Sequence, residues 1–538
     1  MSVIEELQRK SRNLKSTTFE DSLDELSKSL SSTLSLKDIA SFTEGLLGKR
    51  AERSDLLVLL ACLRRIEDVN TAELTEVEAA RGIASVIARS TAPISSLDSS
   101  EEEALQGTRE EDPYARISAQ IREVASPGIQ AIGKLLLLSP PPSADVQDDQ
   151  VLITLAALAD SDEDWATEKT ATLAESVLDE QLPKHSKARD TFIVDAILKN
   201  YLRPLFSKFK PTTITESGRK AEYRDPDLDR ERALPHETRQ TKPWKYHDLR
   251  AIPSLSWAIR NADEALVGQN WPLFIPVLLT LLDDPTTRVR SRGLALSTSF
   301  LAKIPGRTLR DTGLTTVFEE AIFPTLSFLP NLTPEEESVQ LLKPAFSALC
   351  VLARKMSSPE SGVPSRAGNG LRDRILREGI FTAYFHAREH VRIVEILMHH
   401  TAAVIGDLKI HAVKHLKELV PMFSTTITDP FALSHPPSLL AAVAALQATI
   451  INCWPRLSQG VWQEEIMKML IQSWLRLVDD DSPSTTNSEV RIQLRRELNK
   501  TAKMLAAVVA AGDDVPLAEK ISPLVAKEAQ LSGLFSGI

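Results

Sequence analysis

Between Asn270 and Ala302 the apolar positions fall into two short helical registers. Trp271, Phe274, Leu278, Leu281 and Leu282 recur at i, i+3, i+7, i+10 and i+11, which is one face of a helix. Asp283, Asp284 and Pro285 end that register, because proline disfavours helical geometry in the residue before it. Thr286 or Thr287 then caps a second register, with Val289, Gly293, Leu296 and Phe300 at i, i+4, i+7 and i+11. Two helices with one apolar face each cannot hide both faces alone, so the unit predicts stacked neighbours.

The same texture covers the rest of the chain. Phe19, Leu23, Leu26 and Leu30 share a face, with Thr18 as a cap, and Leu36, Ile39, Leu46 and Leu47 form a second set. Leu56–Leu63 is apolar all round, which predicts a buried helix. Helices are expected over 113–138, 150–160 and 166–180, and again from Asp190, around Phe192, Ile193, Ala196, Ile197 and Tyr201. Further helices are expected up to Arg354, over 371–400 and 409–423, and from Ser438 to Trp454. Asp429-Pro430 repeats the helix, Asp-Pro turn, helix plan. Around 474–505, Trp474 to Asp480 echoes the run up to Asp284, and Val490-Arg491 echoes Val289-Arg290. From Asp479 to Val490 is eleven positions, against six from Asp283 to Val289, so the second copy carries five extra turn residues, the usual way repeats diverge. Strand alternation is absent, and the only Asn-Gly pair lies in the glycine- and proline-rich break at 357–370. The apolar run, the Asp-Asp turn and the Val-Arg start that follows are the signature of a HEAT hairpin. The expected fold is all-α, a HEAT-like helical-repeat α-solenoid.

Two stretches interrupt the helices. Residues 92–112 are Ser-rich and acidic without periodicity; Ser99 and Ser100 precede three glutamates, which suits either an acid-directed kinase or a plain solvated loop. Residues 207–250 are charged, proline-bearing and irregular, longer than loops in compact folds usually run. That segment ends in Trp244-Lys245, where an indole in polar surroundings is expected to dock, on its own body or on a partner. The expected organisation is a divergent helical region over 1–189, containing the acidic loop 92–112, and a solenoid over 190–538, containing the irregular segment 207–250.

Bulk properties narrow the function. The chain has 538 residues, too many for one ordinary core. A net charge of −10 argues against a generic nucleic-acid binder, though a local basic patch remains compatible. Cys62, Cys350 and Cys453 are too scattered for a disulfide framework or zinc knuckle and sit in apolar runs, so buried thiols are expected. The N-terminus is not a signal peptide, and the longest apolar run, Leu56–Leu63, is short of the ~20 residues that span a bilayer. A soluble intracellular protein is expected.

Candidate chemistry is sparse. Six of the ten histidines lie between His386 and His415, and the pairs His386/His390 and His411/His415 are spaced i, i+4, which could chelate a metal. Yet no HExxH glutamate is present, and Glu389, Glu395, Asp407 and Glu418 do not complete a ligand set. Asp283-Asp284 and Asp479-Asp480-Asp481 could be catalytic carboxylates, but at helix–helix turns they read as caps that favour the positive end of the next helix. Arg288, Arg290 and Arg292 suit phosphate, or ion pairs with acids of the adjacent turn. Gly45–Arg50 lacks the spacing of a phosphate loop, and GxSxG, CxxC and GxGxxG are missing. No enzyme, cofactor or metal is expected.

Five segments in fixed order carry a resemblance: RPLFSKFKPTTITESGRK (203–220), PWK (243–245), LLDD (281–284), TGLTTVFEEAIFPTLSFLP (312–330) and INCWPR (451–456). Together they resemble the Tel-two-interacting protein two family, the small subunit of the Triple-T (TTT) complex, over about 190–538; the N-terminal third resembles nothing identified. The resemblance implies a non-catalytic scaffold subunit. Such a subunit binds the larger TTT scaffold subunit and, through it, Tel-two. It acts with heat-shock protein 90 and the R-two-TP co-chaperone on phosphatidylinositol-3-kinase-related kinases of the mTOR, ATM and ATR types, in cytoplasm and nucleus, without nucleic acid or membrane. The partner surface is expected in the C-terminal half at Trp454, Arg456, Trp462 and Trp474, since Trp and Arg dominate binding hot spots, although the same tryptophans suit core packing equally. Two other readings stand beside it: a HEAT-type transport receptor or phosphatase scaffold, and a metal-dependent enzyme built on the 386–415 histidines.

Overall fold

The computed structural model describes residues 3–13, 19–29, 35–45, 52–66, 74–94, 113–138, 149–207, 242–357, 366–458, 460–479, 488–512 and 516–538. Among them every regular element is helical, and the only extended pairing is a single antiparallel bridge between Ile94 and Asp248. The all-α expectation holds. Ser99, Ser100 and most of the 92–112 and 207–250 stretches lie outside the described residues. Among the described residues the chain divides into two compact units, with the boundary between Val277 and Leu278.

The first unit contains α1 (Val3–Asn13), α2 (Phe19–Ser29), α3 (Leu36–Glu44), α4 (Arg53–Arg64), α5 (Leu74–Thr91), α6 (Pro113–Leu138), α7 (Asp149–Leu158) and α8 (Glu168–Gln181). It continues with α9 (Lys187–Thr191), a π-helical stretch Phe192–Leu202, α10 (Arg203–Phe206), α11 (Pro243–Tyr246), α12 (Ala251–Asn261) and most of α13 (Glu264–Leu282). Local chemistry sets these boundaries. Ser35 and Asp38 form a reciprocal capping box at the start of α3, and Thr167 with Thr170 does the same for α8. α4 packs on α1, α2 and α6, which is why Leu56 to Leu63 are buried on every side. α7, buried from Val151 to Leu158, sits between α5, α8 and α12. Burying a leucine fully contributes about 1.5–3 kcal/mol, so α4 and α7 dominate this core.

No border of contact falls at 189/190. Arg189 is buried, with its Nη1 on Asn261 Oδ1 at 2.6 Å and its Nε on the Leu182 carbonyl at 2.8 Å, so α8, α9 and α12 share one polar anchor. The helices from Lys187 to Asn261 therefore belong with those before them. α13 is long and apolar enough to cross a membrane by length and composition, although half of that stretch is buried by the protein itself and Pro272 and Pro276 lie within it. Periodicity over 270–282 covered only its second half.

The second unit begins with the end of α13 and continues with α14 (Thr287–Lys303), α15 (Gly306–Asp311), α16 (Leu314–Ile322), α17 (Glu335–Met356) and α18 (Arg366–Arg374). A π-helical stretch, Ile375–Phe381, leads into α19 (Thr382–Ala387) and α20 (Val391–Leu408). After a 3-10 stretch, Lys409–His415, come α21 (Leu416–Ile427), α22 (Pro436–Asn452), α23 (Trp454–Leu457), α24 (Val461–Asp479), α25 (Ser488–Ala510) and α26 (Leu517–Lys527). The hairpin closes as the sequence predicts: Phe274, Leu278, Leu281, Leu282, Val289, Leu296 and Phe300 are buried, while Trp271 is only half-buried.

Five helices of this unit pack each on the next: α14 on α17, α17 on α20, α20 on α22, and α22 on α25. Polar ties fix their direction. Thr287 donates to Glu337 and Glu335 pairs with His390 Nδ1 at 2.8 Å, start of helix to start of helix. Arg354 Nε meets Asp407 Oδ2 at 2.7 Å, end to end, and His435 before α22 reaches Glu395 near the start of α20 at 3.0 Å. Gln447 Nε2 then donates to Glu497 Oε2 (2.8 Å) and Thr501 Oγ1 (3.0 Å) on α25. The helices therefore run parallel, as consecutive layers of a helical-repeat stack do. α21 packs on α22 and α24, and α24 packs on α25. The C-terminal residues close it: Asn499 Nδ2 donates to the Leu534 carbonyl at 2.7 Å, and Leu534 and Phe535 are buried.

Candidate protein-interaction surface

Parallel helices collect their C-terminal ends on one edge of the ladder. Here lie the ends of α17, α20 and α22 and the turns that follow them. The expected partner residues separate on inspection. Trp454, at the start of α23, is 48% exposed, and Arg456, two residues on, is exposed too. Trp462, near the start of α24, is half-buried. Trp474 faces inward: its indole N–H donates to the Gln530 carbonyl at 2.9 Å, and its ring lies so close to Gly533 that a Cβ there would sit 2.7 Å from it. Trp474 belongs to the packing that closes the C-terminal end, so Trp454 and Arg456 alone of this set stand open.

Trp244 docks on its own body. It is 1% exposed and stacks on Phe206, with ring centroids 4.9 Å apart and planes 14° from parallel. Half-buried Lys245 lies beside it, its Nζ 5.4 Å from the Tyr246 ring centroid.

The histidines are used one by one rather than in chelating pairs. His390 and His435 serve the ladder, His415 Nε2 pairs with Asp373 Oδ1 at 2.8 Å, and His386 packs edge-on against Phe385. His400 stacks on Phe346 at 5.1 Å, and burial lowers its pKa from 6.5 to about 4, with a smaller electrostatic contribution from the neighbouring His399, Lys343 and Arg354. Among the described residues no three His, Cys, Asp or Glu side chains converge on a metal position. The expected helix 371–400 breaks at Arg388–His390, which frees His390 to reach Glu335.

The turn acids also act structurally. Asp284 is buried and accepts from the Thr286 N–H at 2.9 Å, while its carbonyl accepts from Arg290 Nε at 3.1 Å. The Arg290 guanidinium lies 4.7 Å from the Phe328 ring centroid, so it is engaged with its own hairpin. Asp479 ends α24; Asp480 and Asp481 lie outside the described residues. All three cysteines are buried, and burial pushes Cys62 and Cys453 up to about 12 and Cys350 to about 11, so they are thiols at neutral pH.

No local pattern in the sequence marks the neighbour of Trp454 on this edge. Lys409, Ile410 and His411 follow α20 and are exposed, Ile410 at 47%, and Ile451 beside Trp454 is 55% exposed. The 3-10 stretch carrying them packs on α22. Because Glu395 faces His435 and the helices run parallel, the C-terminal ends of α20 and α22 lie on the same side of the ladder. An aromatic, two isoleucines and the side chains of Lys409 and Arg456 therefore stand open to solvent at the ends of neighbouring layers.

Stacked helical pairs, with histidines and acids tied into packing, define an all-helical repeat protein. A family model described as the Tti2 family matches residues 151–434, more than half of the chain. The chain belongs to the Tti2 family. The match begins at 151 rather than about 190, so α7 and α8, expected in the divergent N-terminal region, are family elements; it stops before Trp454, Arg456, Trp462 and Trp474. No curated protein matches the chain.

Proposed function

We propose that the chain is the small, non-catalytic scaffold subunit of the TTT complex. In this reading it holds the larger TTT scaffold subunit and, through it, Tel-two. With heat-shock protein 90 and R-two-TP, the assembly matures and stabilises phosphatidylinositol-3-kinase-related kinases in cytoplasm and nucleus. It needs no cofactor, nucleic acid or membrane. Family membership over residues 151–434 is the observation that carries the reading. The open edge around Trp454 and Arg456 supports it, because aromatic and arginine side chains anchor interfaces when they are accessible.

The test is affinity purification of the full chain from its own cells with mass spectrometry. Recovery of the larger TTT subunit and Tel-two in near-equal amounts is expected. Recovery of nucleoporins or phosphatase subunits in their place would overturn it and favour a transport or phosphatase adaptor.

A further inference from the structure

We infer that the edge formed by Lys409, Ile410, Ile451, Trp454 and Arg456 seats an acidic amphipathic helix of the partner protein; this rests on the interaction role proposed above. Three observations converge. The first is backbone geometry. Lys409 holds φ 53° and ψ −132°, one of two non-glycine residues with positive φ among those described. Glycine takes that conformation without steric cost, whereas an L side chain is strained there, and strain of this kind clusters where a side chain is needed. The strained residue projects an exposed ammonium from the junction between α20 and the 3-10 stretch.

The second is exposure of large apolar groups in adjoining layers: Ile410 at 47%, Ile451 at 55% and Trp454 at 48%. Apolar anchors in the turns that follow two neighbouring layers suit the i, i+3/i+4, i+7 face of a helix laid across both turns.

The third is charge. Residues 449–458 contain no acid, and between 405 and 415 the one acid, Asp407, is paired with Arg354. Lys414 and His415 both pair with Asp373. Lys409 and Arg456 make no ion pair among the described residues, and His411, two positions after Lys409, is exposed. A chain of net charge −10 thus presents a locally cationic apolar rim. A cation near a helix C-terminus compensates the macrodipole, but that does not account for bare isoleucines and a tryptophan beside it. Carboxylates flanking apolar anchors complement this rim.

The experiment measures binding of the full chain to two synthetic amphipathic helices of about 20 residues with the same leucine face, one with glutamate and one with lysine on the polar face. It measures binding to the larger TTT scaffold subunit in parallel. Wild type should bind the glutamate helix, more weakly as salt rises, and not the lysine helix. Lys409→Glu and Trp454→Ala should each weaken both the peptide and the scaffold complex about tenfold. Lys409→Gly relieves the backbone, so it should keep or raise the melting temperature and still weaken binding. Equal binding of both helices, no binding of either, or unchanged binding by Lys409→Gly and Lys409→Glu would overturn the inference. So would tighter binding to phosphatidylserine vesicles than to the glutamate helix. Failure of wild type to bind the scaffold subunit sinks the functional reading instead, and the peptide arm still decides this one.

Discussion

Phe206 and Trp244 stack ring on ring although thirty-seven positions separate them in the chain, one at the end of α10 and the other in α11. The contact holds α10 and α11 together, and α11 in turn packs on α12.

Trp244→Ala should therefore destabilise the protein by about 3–5 kcal/mol, the cost of truncating a buried aromatic. Trp244→Phe keeps the stack and should cost less. In urea denaturation a double-mutant cycle with Phe206→Leu should show coupling of about 0.5–1.5 kcal/mol. Additive effects would mean that the rings merely lie near each other.

Arg250 makes a comparable commitment with charge. Its Nε and Nη2 grip both carboxylate oxygens of Asp248 at 2.9 and 2.8 Å, and its Nη1 donates to Thr154 Oγ1 at 3.0 Å. Asp248 in turn bridges Ile94, so one side chain ties α7 to the returning chain. Arg250→Met strands the carboxylate and should cost about 3–5 kcal/mol, whereas adding Asp248→Asn should recover part of that loss. A double variant no more stable than the single one would contradict the pairing.

The sequence made the helices legible because their apolar patterns are local: the all-round apolar run Leu56–Leu63 marks a buried helix, and the 3.6-residue period on either side of Asp283-Asp284 marks the hairpin. The parallel ladder was harder to see. Its ties, such as Glu335 to His390 and Glu395 to His435, join residues 55 and 40 positions apart, and no local period encodes them. The interaction edge was half legible. Trp454, Trp462 and Trp474 look alike as letters, and only the C-terminal residues folding over Trp474 sort the core tryptophan from the open one. Lys409 was invisible, since nothing about a lysine in a Lys- and His-rich tract announces a left-handed backbone.

His400 makes stability depend on pH. Burial holds its folded pKa near 4 against an ordinary 6.5, so in this range the unfolded chain binds the extra proton. Stability contributed by neutral His400 is present above pH 6.5 and is lost as pH falls from 6.5 towards 4. His400→Gln should flatten the dependence of melting temperature on pH in that window while leaving the trend below pH 4 in place. An unchanged slope between pH 6.5 and 4 would remove His400 from the account.

Gly293 shows how tightly the central hairpin closes. A Cβ at this position would lie 2.8 Å from Leu281 Cβ and 3.0 Å from the Leu281 carbonyl carbon, and since the second neighbour is backbone, no rotamer change relieves it. Gly293 sits on the apolar face shared with Val289, Leu296 and Phe300, where in a less crowded helix alanine would be favoured over glycine by about 1 kcal/mol. Propensity and packing therefore make opposite demands, and packing wins because the clash is with main chain. Gly293→Ala should lower stability by about 1–3 kcal/mol instead of raising it. Gly370, in α18, has open space where its Cβ would go, so Gly370→Ala serves as the matched control and should be neutral or stabilising. Chemical denaturation of both variants decides the matter: stabilisation by Gly293→Ala would mean that α13 and α14 stand further apart than described here.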